Sequence, residues 1–191
     1  MWKQFRAYVG VALIVATAAC SQDFTTLGPV RVEPLFTGGS SAEGMALGAL
    51  HAGTARYHRV ELAVADGYVR RTACIYSAAG GRGFLYLNAS LLDAVVDPAK
   101  PEVLLYEPGR NGKLHLVGVV YLVPSAAWDA ASSTPPVFGG VPFYDRRTPP
   151  FGAAFPNYAL FAWPWRHNPA GMYLEYNPAV TCDFTDDKDL R

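Results

Sequence analysis

The stretch Val103–Val123, VLLYEPGRNGKLHLVGVVYLV, decides the fold of this chain. Two apolar runs, Val103–Tyr106 and Lys113–Val123, flank residues 107–112, whose Pro, Gly and Asn residues favour a turn. Read as a strand, the longer run is apolar on both faces. One face carries Leu114, Leu116, Val120 and Leu122, and the other carries Val117, Val119 and Tyr121. The stretch therefore predicts a β-hairpin whose second strand lies in the middle of a sheet covered on both sides.

A helix is expected before this hairpin. Ser40-Ser41-Ala42-Glu43 is a capping box, in which a hydroxyl accepts from early helix amides and a carboxylate reaches back to the first. Glycines weaken the first half of the helix, and an apolar stripe supports the second half. The glycines are Gly44, Gly48 and Gly53, and the stripe is Tyr57, Val60, Val64 and Tyr68. Asp66-Gly67 marks the end, because glycine readily adopts a left-handed conformation there.

Short strands and turns account for most of the remaining chain. Strands are expected at Arg71–Ser77, Phe84–Asn88, Tyr158–Trp165 and Met172–Tyr176. Residues 78–83 (AAGGRG) predict a flexible loop, and Pro124–Asn157 predicts a long Pro/Gly-rich loop whose phenylalanines pack onto the domain. One helical layer followed by many short strands favours an α+β fold. In that fold the N-terminal helix packs on an antiparallel β-sheet, for which a barrel-like form is one option.

The first residues have the layout of a secretory leader. Lys3 and Arg6 form a basic head, and Tyr8–Ala19 is an uncharged apolar run that leads through small residues to Cys20. A transmembrane helix is one alternative, although it needs ~20 apolar residues. A helix of the folded domain is the other, although no polar face interrupts the run. The pattern favours a cleaved signal and export.

The end of this leader, Thr17-Ala18-Ala19-Cys20, resembles the lipobox of bacterial lipoprotein precursors. The resemblance implies cleavage before Cys20 and attachment of acyl chains such as palmitate to that cysteine, which would anchor the protein to a membrane. Ser21, and not an aspartate, follows Cys20, which favours the outer membrane of a Gram-negative cell over the inner one. The expected location is therefore outside the cytoplasm, at the outer membrane or in the periplasm. The chain then divides into a signal peptide (1–19), a tether (20–39) and one globular domain (40–191).

The charge of the chain argues against a nucleic-acid partner. The whole sequence has 16 basic and 16 acidic residues. Loss of Lys3 and Arg6 with the leader leaves 14 and 16, a net charge of −2. Basic residues are scattered, whereas nucleic-acid binding needs a cationic face. The acidic residues of the C-terminal tail, Asp183, Asp186, Asp187 and Asp189, are expected to be solvated.

Two cysteines remain if Cys20 carries lipid. Cys74 and Cys182 are expected to form a disulfide, because an exported protein meets an oxidising compartment. The bond would join the first strand to the C-terminal tail. Two separate buried thiols are the alternative.

Familiar catalytic and metal-binding motifs do not occur in the sequence. The four histidines His51, His58, His115 and His167 are scattered, although His51 and His58 could share one helical face. There is no Cys-x-x-Cys and no Gly-x-Ser-x-Gly, and Gly80–Gly83 lacks the Lys-Ser/Thr ending of a phosphate loop. We therefore expect no metal and no cofactor.

Aromatic residues near the C-terminus favour binding instead. On a strand, Phe161, Trp163 and Trp165 would share one face, which is either core or the floor of a groove. The candidate binding residues are Tyr86, Asn88, Trp163, Trp165 and His167. The leading hypothesis is a non-catalytic envelope lipoprotein that binds a small molecule or a protein partner. The alternatives are an enzyme of unknown reaction that uses His167, Asn88 and Tyr86, and a purely structural envelope component.

Most of the chain that follows the expected signal peptide resembles a family of exported bacterial proteins of uncharacterised function. The similar stretches are 57–68, 84–88, 97–123, 135–143 and 158–182, and the run Trp165–Met172 is the most specific. The resemblance implies a His/Glu/His set on neighbouring strands, of the kind that binds a metal or transfers protons. This chain carries Leu85, Val120 and Phe161 at those positions. The substitutions argue against that chemistry here.

Overall fold

The computed structural model describes residues 41–150 and 153–190. The helices are α1 (Ser41–Thr54), α2 (Val60–Ala65) and α3 (Ser125–Asp129); one 3₁₀ turn, Ala55–His58, lies between α1 and α2, and another, Ala89–Leu91, follows β3. The strands are β1 (Val69–Arg70), β2 (Cys74–Ser77), β3 (Gly80–Leu87), β4 (Val103–Pro108), β5 (Leu114–Pro124), β6 (Val137–Phe138), β7 (Val141–Pro142), β8 (Tyr144–Arg146), β9 (Asn157–Ala162) and β10 (Lys188–Leu190). The proposed signal peptide, Cys20 and the tether lie outside the described residues.

One curled sheet organises the domain. Its strand order is β10-β2-β3-β4-β5-β9-β8, and β1 pairs with the end of β3. Together these strands form a half-barrel. All neighbouring pairs are antiparallel except β10–β2, which is parallel. The prediction of a mixed helix-and-strand fold is confirmed.

The predicted central hairpin is present as β4 and β5, and β5 is buried on both faces. On one face lies a cluster of buried apolar side chains, called the first cluster, which contains Leu50 of α1 together with Tyr106 and Tyr121. The second cluster, on the opposite face, contains Val120 and Phe161. Burial of both faces is what its continuous apolar sequence requires.

The predicted assignment of side chains to the two faces of β5 is wrong for half of the strand. A β-bulge is the reason: Leu105 pairs with Gly118 and Tyr106 pairs with Leu116, so that Val117 is an extra residue. The bulge reverses the alternation. Leu114 and Leu116 therefore share the first cluster with Val119, Tyr121 and Val123. Gly118 is needed beside the bulge, because a Cβ there would lie 2.7 Å from Cε3 of Trp163.

The predicted single helix is two helices separated by an extended residue. Its end is confirmed, since Gly67 has φ +95°. The helical conformation is interrupted at Arg59, whose backbone is extended with φ −97° and ψ 102°. The break makes the predicted apolar stripe wrong at Val64, which is 55 % exposed. It also lets the backbone oxygen of Tyr57 accept a 2.7 Å hydrogen bond from the Tyr106 hydroxyl.

The glycines of α1 and its surroundings have different roles. A Cβ on Gly44 or Gly48 would meet no atom within 4 Å, so these two glycines only weaken the helix. A Cβ on Gly53 would instead overlap the backbone of Ala99. Gly53 is therefore required for close packing of α1 on the segment that precedes β4.

The predicted flexible loop at residues 78–83 is wrong. Only Ala78 and Ala79 form the turn, and Gly80–Gly83 belong to β3. Glycine is required there because other backbone segments lie against the strand. A Cβ on Gly81 would lie 2.6 Å from the carbonyl oxygen of Val180, and one on Gly83 would overlap the carbonyl oxygen of Tyr106.

The C-terminal segment, residues 163–182, is irregular but tightly held. The predicted strand at Met172–Tyr176 is wrong, because turns at Asn168–Gly171 and Gly171–Leu174 prevent an extended ladder. Asn177 and Gly81 instead exchange two backbone hydrogen bonds of 3.0 and 3.1 Å. The expected Cys74–Cys182 disulfide is present.

This disulfide determines how the acidic tail runs. It spans 108 residues, for which chain entropy sets a stabilisation of about 4–5 kcal/mol at most. It also places the chain beside β2, so that β10 pairs with β2 in parallel. The acidic side chains of Asp183, Asp186 and Asp187 are exposed, as predicted, but the tail is also attached: the backbone oxygen of Asp187 accepts from the Cys74 amide, and its carboxylate forms an ion pair with Arg70.

The predicted long loop at Pro124–Asn157 contains α3, the β6–β7 hairpin and β8. Phe138 and Phe143 are buried in the first cluster, as expected of a loop that packs onto the domain. Phe155 packs on the second cluster, and Phe151 lies outside the described residues.

Glu102 is a buried carboxyl group at the start of β4. Its Oε2 accepts a 2.9 Å hydrogen bond from the amide of Leu122, which lies past the last β4–β5 pair at Val103 and Val120. The side chain thus satisfies an amide that the ladder leaves free. Burial raises the pKa of Glu102 to about 8, with Asp93 and Asp97 adding to the rise and the Leu122 amide opposing it.

We expect Glu102 to make the fold less stable as the pH rises. Because its folded-state pKa lies above its unfolded value, its contribution is complete below about pH 4 and is lost by about pH 8, by at most about 1.4 kcal/mol per pH unit. Urea unfolding of wild type and Glu102→Gln between these limits measures the effect. The variant should lose this part of the slope, whereas Glu61→Gln, at an exposed glutamate, should keep it. Equal slopes in all three proteins would contradict the assignment.

Candidate functional site

The structure does not bring the five predicted binding residues together. Tyr86 is buried in the first cluster, with its ring 5.0 Å from that of Tyr106. Trp163 is buried in the second cluster, where its indole nitrogen donates to Leu174 O at 2.6 Å. The two rings therefore lie on opposite faces of the sheet, in the core.

Asn88 and His167 are also apart. The side-chain nitrogen Nδ2 of Asn88 donates to Asp66 O at 2.9 Å, and its side-chain oxygen accepts from Ser90, so that Asn88 joins the end of α2 to the end of β3. His167 is exposed, and its backbone oxygen accepts from Asn177, the residue that pairs with Gly81. Gly81 and Asn88 are seven residues apart along β3, about 20 Å. Because His167 lies near the Gly81 end of β3 and Asn88 lies at its other end, the structure does not support joint catalysis by His167, Asn88 and Tyr86.

Trp165 is the candidate aromatic residue that reaches the surface. Pro164 follows the end of β9, and Trp165 leaves the face shared by Phe161 and Trp163, contrary to prediction. Its indole lies edge-on to two imidazoles, with centroid distances of 4.5 Å to His51 and 4.4 Å to His58. The structure thus supports the expectation that these two histidines share one side of the helical region.

A buried threonine fixes the position of this indole. The indole nitrogen of Trp165 donates to Oγ1 of Thr54 at 3.1 Å, and that hydroxyl donates to Leu50 O at 2.7 Å. Thr54 is completely buried at the end of α1. The hydrogen bonds hold the C-terminal segment against α1 and place the Trp165 indole beside His58.

A polar cleft opens beside His58. It has a volume of about 500 Å³ and lies between the 58–61 region and the β4–β5 turn. Its lining residues are His58, Arg59, Val60, Glu61, Gly112, Lys113 and Leu114. Arg59 and Lys113 are the basic residues of this lining and Glu61 is its carboxylate, so the lining has an excess of positive charge. The size is within the range of roughly 300–1,000 Å³ found for small-molecule sites.

A cavity of the same volume, about 500 Å³, lies beside Cys182 and Lys188. A further cavity is smaller and apolar. It has a volume of about 360 Å³, and Leu92, Pro124 and Phe155 contribute to its lining. It offers few polar groups to orient a ligand, whereas the cleft offers several.

The positions of the family's implied His/Glu/His set do lie on one face of the sheet. Val120 and Phe161 are direct cross-strand partners. Leu85 packs against the same second cluster. Three hydrocarbon side chains there form part of the core and provide no ligand atom or proton-transfer group.

The titratable groups of the first cluster are structural. Burial raises the pKa of Tyr68, Tyr106 and Tyr121. Tyr68 and Tyr121 donate at 2.7 Å to the carbonyl oxygens of Pro101 and Pro98. Protonated phenols are therefore required to hold the segment before β4.

Comparison with known proteins gives no family assignment: no protein-family model, no curated protein and no solved structure matches this chain. Within residues 41–150 and 153–190, no three His, Cys, Asp or Glu side chains are grouped so that they could hold a metal ion. None of the helices in these ranges is long and apolar enough to cross a membrane.

Sequence reasoning missed the residues that line the cleft. The spacing of His51 and His58 indicated a shared side, but nothing local indicated that Trp165, more than 100 residues later, would lie against both. The cleft depends equally on the β4–β5 turn, whose Lys113 looks like an ordinary surface residue in the sequence.

Proposed function

We propose that this protein is a lipid-anchored, non-catalytic binding module of the bacterial cell envelope. In this proposal Cys20 holds an α+β domain at the outer membrane. The domain consists of N-terminal helices packed on a mainly antiparallel, barrel-like sheet. The ligand is a small polar molecule or a polar group of a protein partner, and it binds in the cleft beside His58.

The cleft carries this proposal. It is open, its lining combines two basic side chains with a histidine and a carboxylate, and Trp165, bonded to Thr54, packs against that histidine. Binding is favoured over catalysis because Tyr86, Asn88 and His167 are separated and because Leu85, Val120 and Phe161 are apolar. A purely structural role would not require an open polar cleft.

The anchoring is tested by the intact mass of the protein extracted from bacterial membranes in detergent. We expect a chain that begins at Cys20 and carries the added mass of acyl chains. Cys20→Ser should keep its leader and carry no acyl chain. A wild-type chain that retains Met1 and carries no acyl mass would contradict the anchoring proposal.

Binding at the cleft is tested by amide NMR titration of the full chain in detergent with benzoate and with neutral benzamide. We expect shifts at residues 58–61 and 112–114, with tighter binding of benzoate because of the excess positive charge. Lys113→Ala should weaken benzoate binding by roughly two- to fivefold, the effect of one exposed charge, and change benzamide binding little.

The matched control is Lys100→Ala, at an exposed lysine that pairs with Asp97 at 3.4 Å. Lys100→Ala should leave both titrations unchanged. Shifts centred on Leu92 and Phe155, or equal weakening by the two lysine variants, would contradict the cleft as the binding site.

A further inference from the structure

A separate group of charged side chains lies beside Phe161, on the face of the sheet that carries the second hydrophobic cluster. Arg82 is the extra residue of a β-bulge, since Ile75 pairs with Gly83 and Tyr76 pairs with Gly81. The residue is only 7 % exposed. Its Nη1 pairs with Glu175 at 3.1 Å, and its Nη2 donates to the hydroxyl of Tyr176 at 2.7 Å.

Arg146 enters the same cluster from β8. Its Nη2 forms an ion pair with Glu175, the same carboxylate that pairs with Arg82. Both guanidinium groups also lie over the ring of Phe161, with Cζ-to-centroid distances of 5.6 Å for Arg82 and 5.7 Å for Arg146. Two arginines from different strands thus share one carboxylate and one aromatic ring.

The positive charge of this cluster is not balanced by Glu175. In the described part of the chain, neither guanidinium has another carboxylate within ion-pair distance. The side chains of Arg82 and Arg146 are only 9 % and 16 % exposed, so that water compensates the excess charge poorly. In addition, Nε of Arg82 is buried and has no hydrogen-bond partner in residues 41–150 and 153–190, which is unusual and costly for a charged donor.

We propose that Arg82, Arg146 and Glu175 form a binding site for an oxyanion, namely the carboxylate or phosphate group of a small ligand. The anion accepts from the N–H groups of Arg146 that have no partner among the described residues, and it balances the second positive charge beside Phe161. Arginine suits this role because its planar fork matches carboxylate and phosphate oxygens. Entry is on the side of Glu175, whose side chain is the most exposed of the three at 30 %. The site is separate from the cleft at His58.

The test is a titration of the full chain in detergent with sodium phosphate and sodium acetate, with sodium chloride at equal ionic strength as the reference. The readouts are the Arg Nε–H NMR signals and the thermal unfolding midpoint. We expect phosphate or acetate, but not chloride, to shift the Arg82 and Arg146 signals and raise the midpoint. A response to phosphate alone or to acetate alone identifies the preferred headgroup and supports the site.

Three variants separate a binding site from a structural ion pair. Glu175→Gln removes the internal competitor and should tighten oxyanion binding by about threefold, the effect of one partly exposed charge. Arg146→Gln should abolish the response. Arg147→Gln is the matched control, because Arg147 adjoins Arg146 but is exposed and already pairs with Asp145 and Asp129; it should respond like wild type.

Other outcomes would overturn the site. An equal response to chloride, loss of the response in Arg147→Gln, or no response in wild type would each show that the arginines only stabilise the fold. If Glu175→Gln does not fold, the comparison of Arg146→Gln with Arg147→Gln still decides the question.

Discussion

Close contact between the irregular C-terminal segment and the sheet is the constraint on which the rest of this structure depends. Gly81 and Asn177 can exchange two backbone hydrogen bonds because Gly80 and Gly81 have no side chains to prevent the approach. The Asn177 side chain, which is completely buried, bonds the backbone on both sides of its turn. Glu107 adds a hydrogen bond from the Thr181 amide and an ion pair with Arg166, and the disulfide closes the segment at Cys182.

Both candidate binding sites depend on this one segment. Near its start it brings Trp165 to Thr54 and the two histidines, which fixes one side of the polar cleft. Near its end it brings Glu175 between Arg82 and Arg146. A segment without regular secondary structure can serve both sides of the sheet because its own polar groups are satisfied by the strands it crosses. Its rigidity is therefore a condition for both proposed sites as well as for stability.

The sequence predicted what local patterns control and missed what distant contacts control. The continuous apolar run of β5 indicated a buried central strand, and Gly67 indicated the end of the helix; both are confirmed. The bulges at Val117 and Arg82 left no periodic signal, so that one face assignment and one loop were predicted wrongly. The disulfide followed from cysteine count, whereas the pairing of Glu175 with arginines 93 and 29 residues away could not be read from spacing. The candidate binding residues were selected by residue type, whereas their roles in the structure depend on whether each side chain is buried.

Native-state hydrogen exchange at the amides of Gly81 and Asn177 tests the central claim most directly. If the C-terminal segment is held as firmly as described, both amides open only when the sheet does. Their protection should then be within about tenfold, or about 1.4 kcal/mol, of that of Val119 and Tyr121 in β5. Exchange of both amides at the rate of an unprotected loop, while β5 stays protected, would show that the segment is loosely attached and would contradict this account.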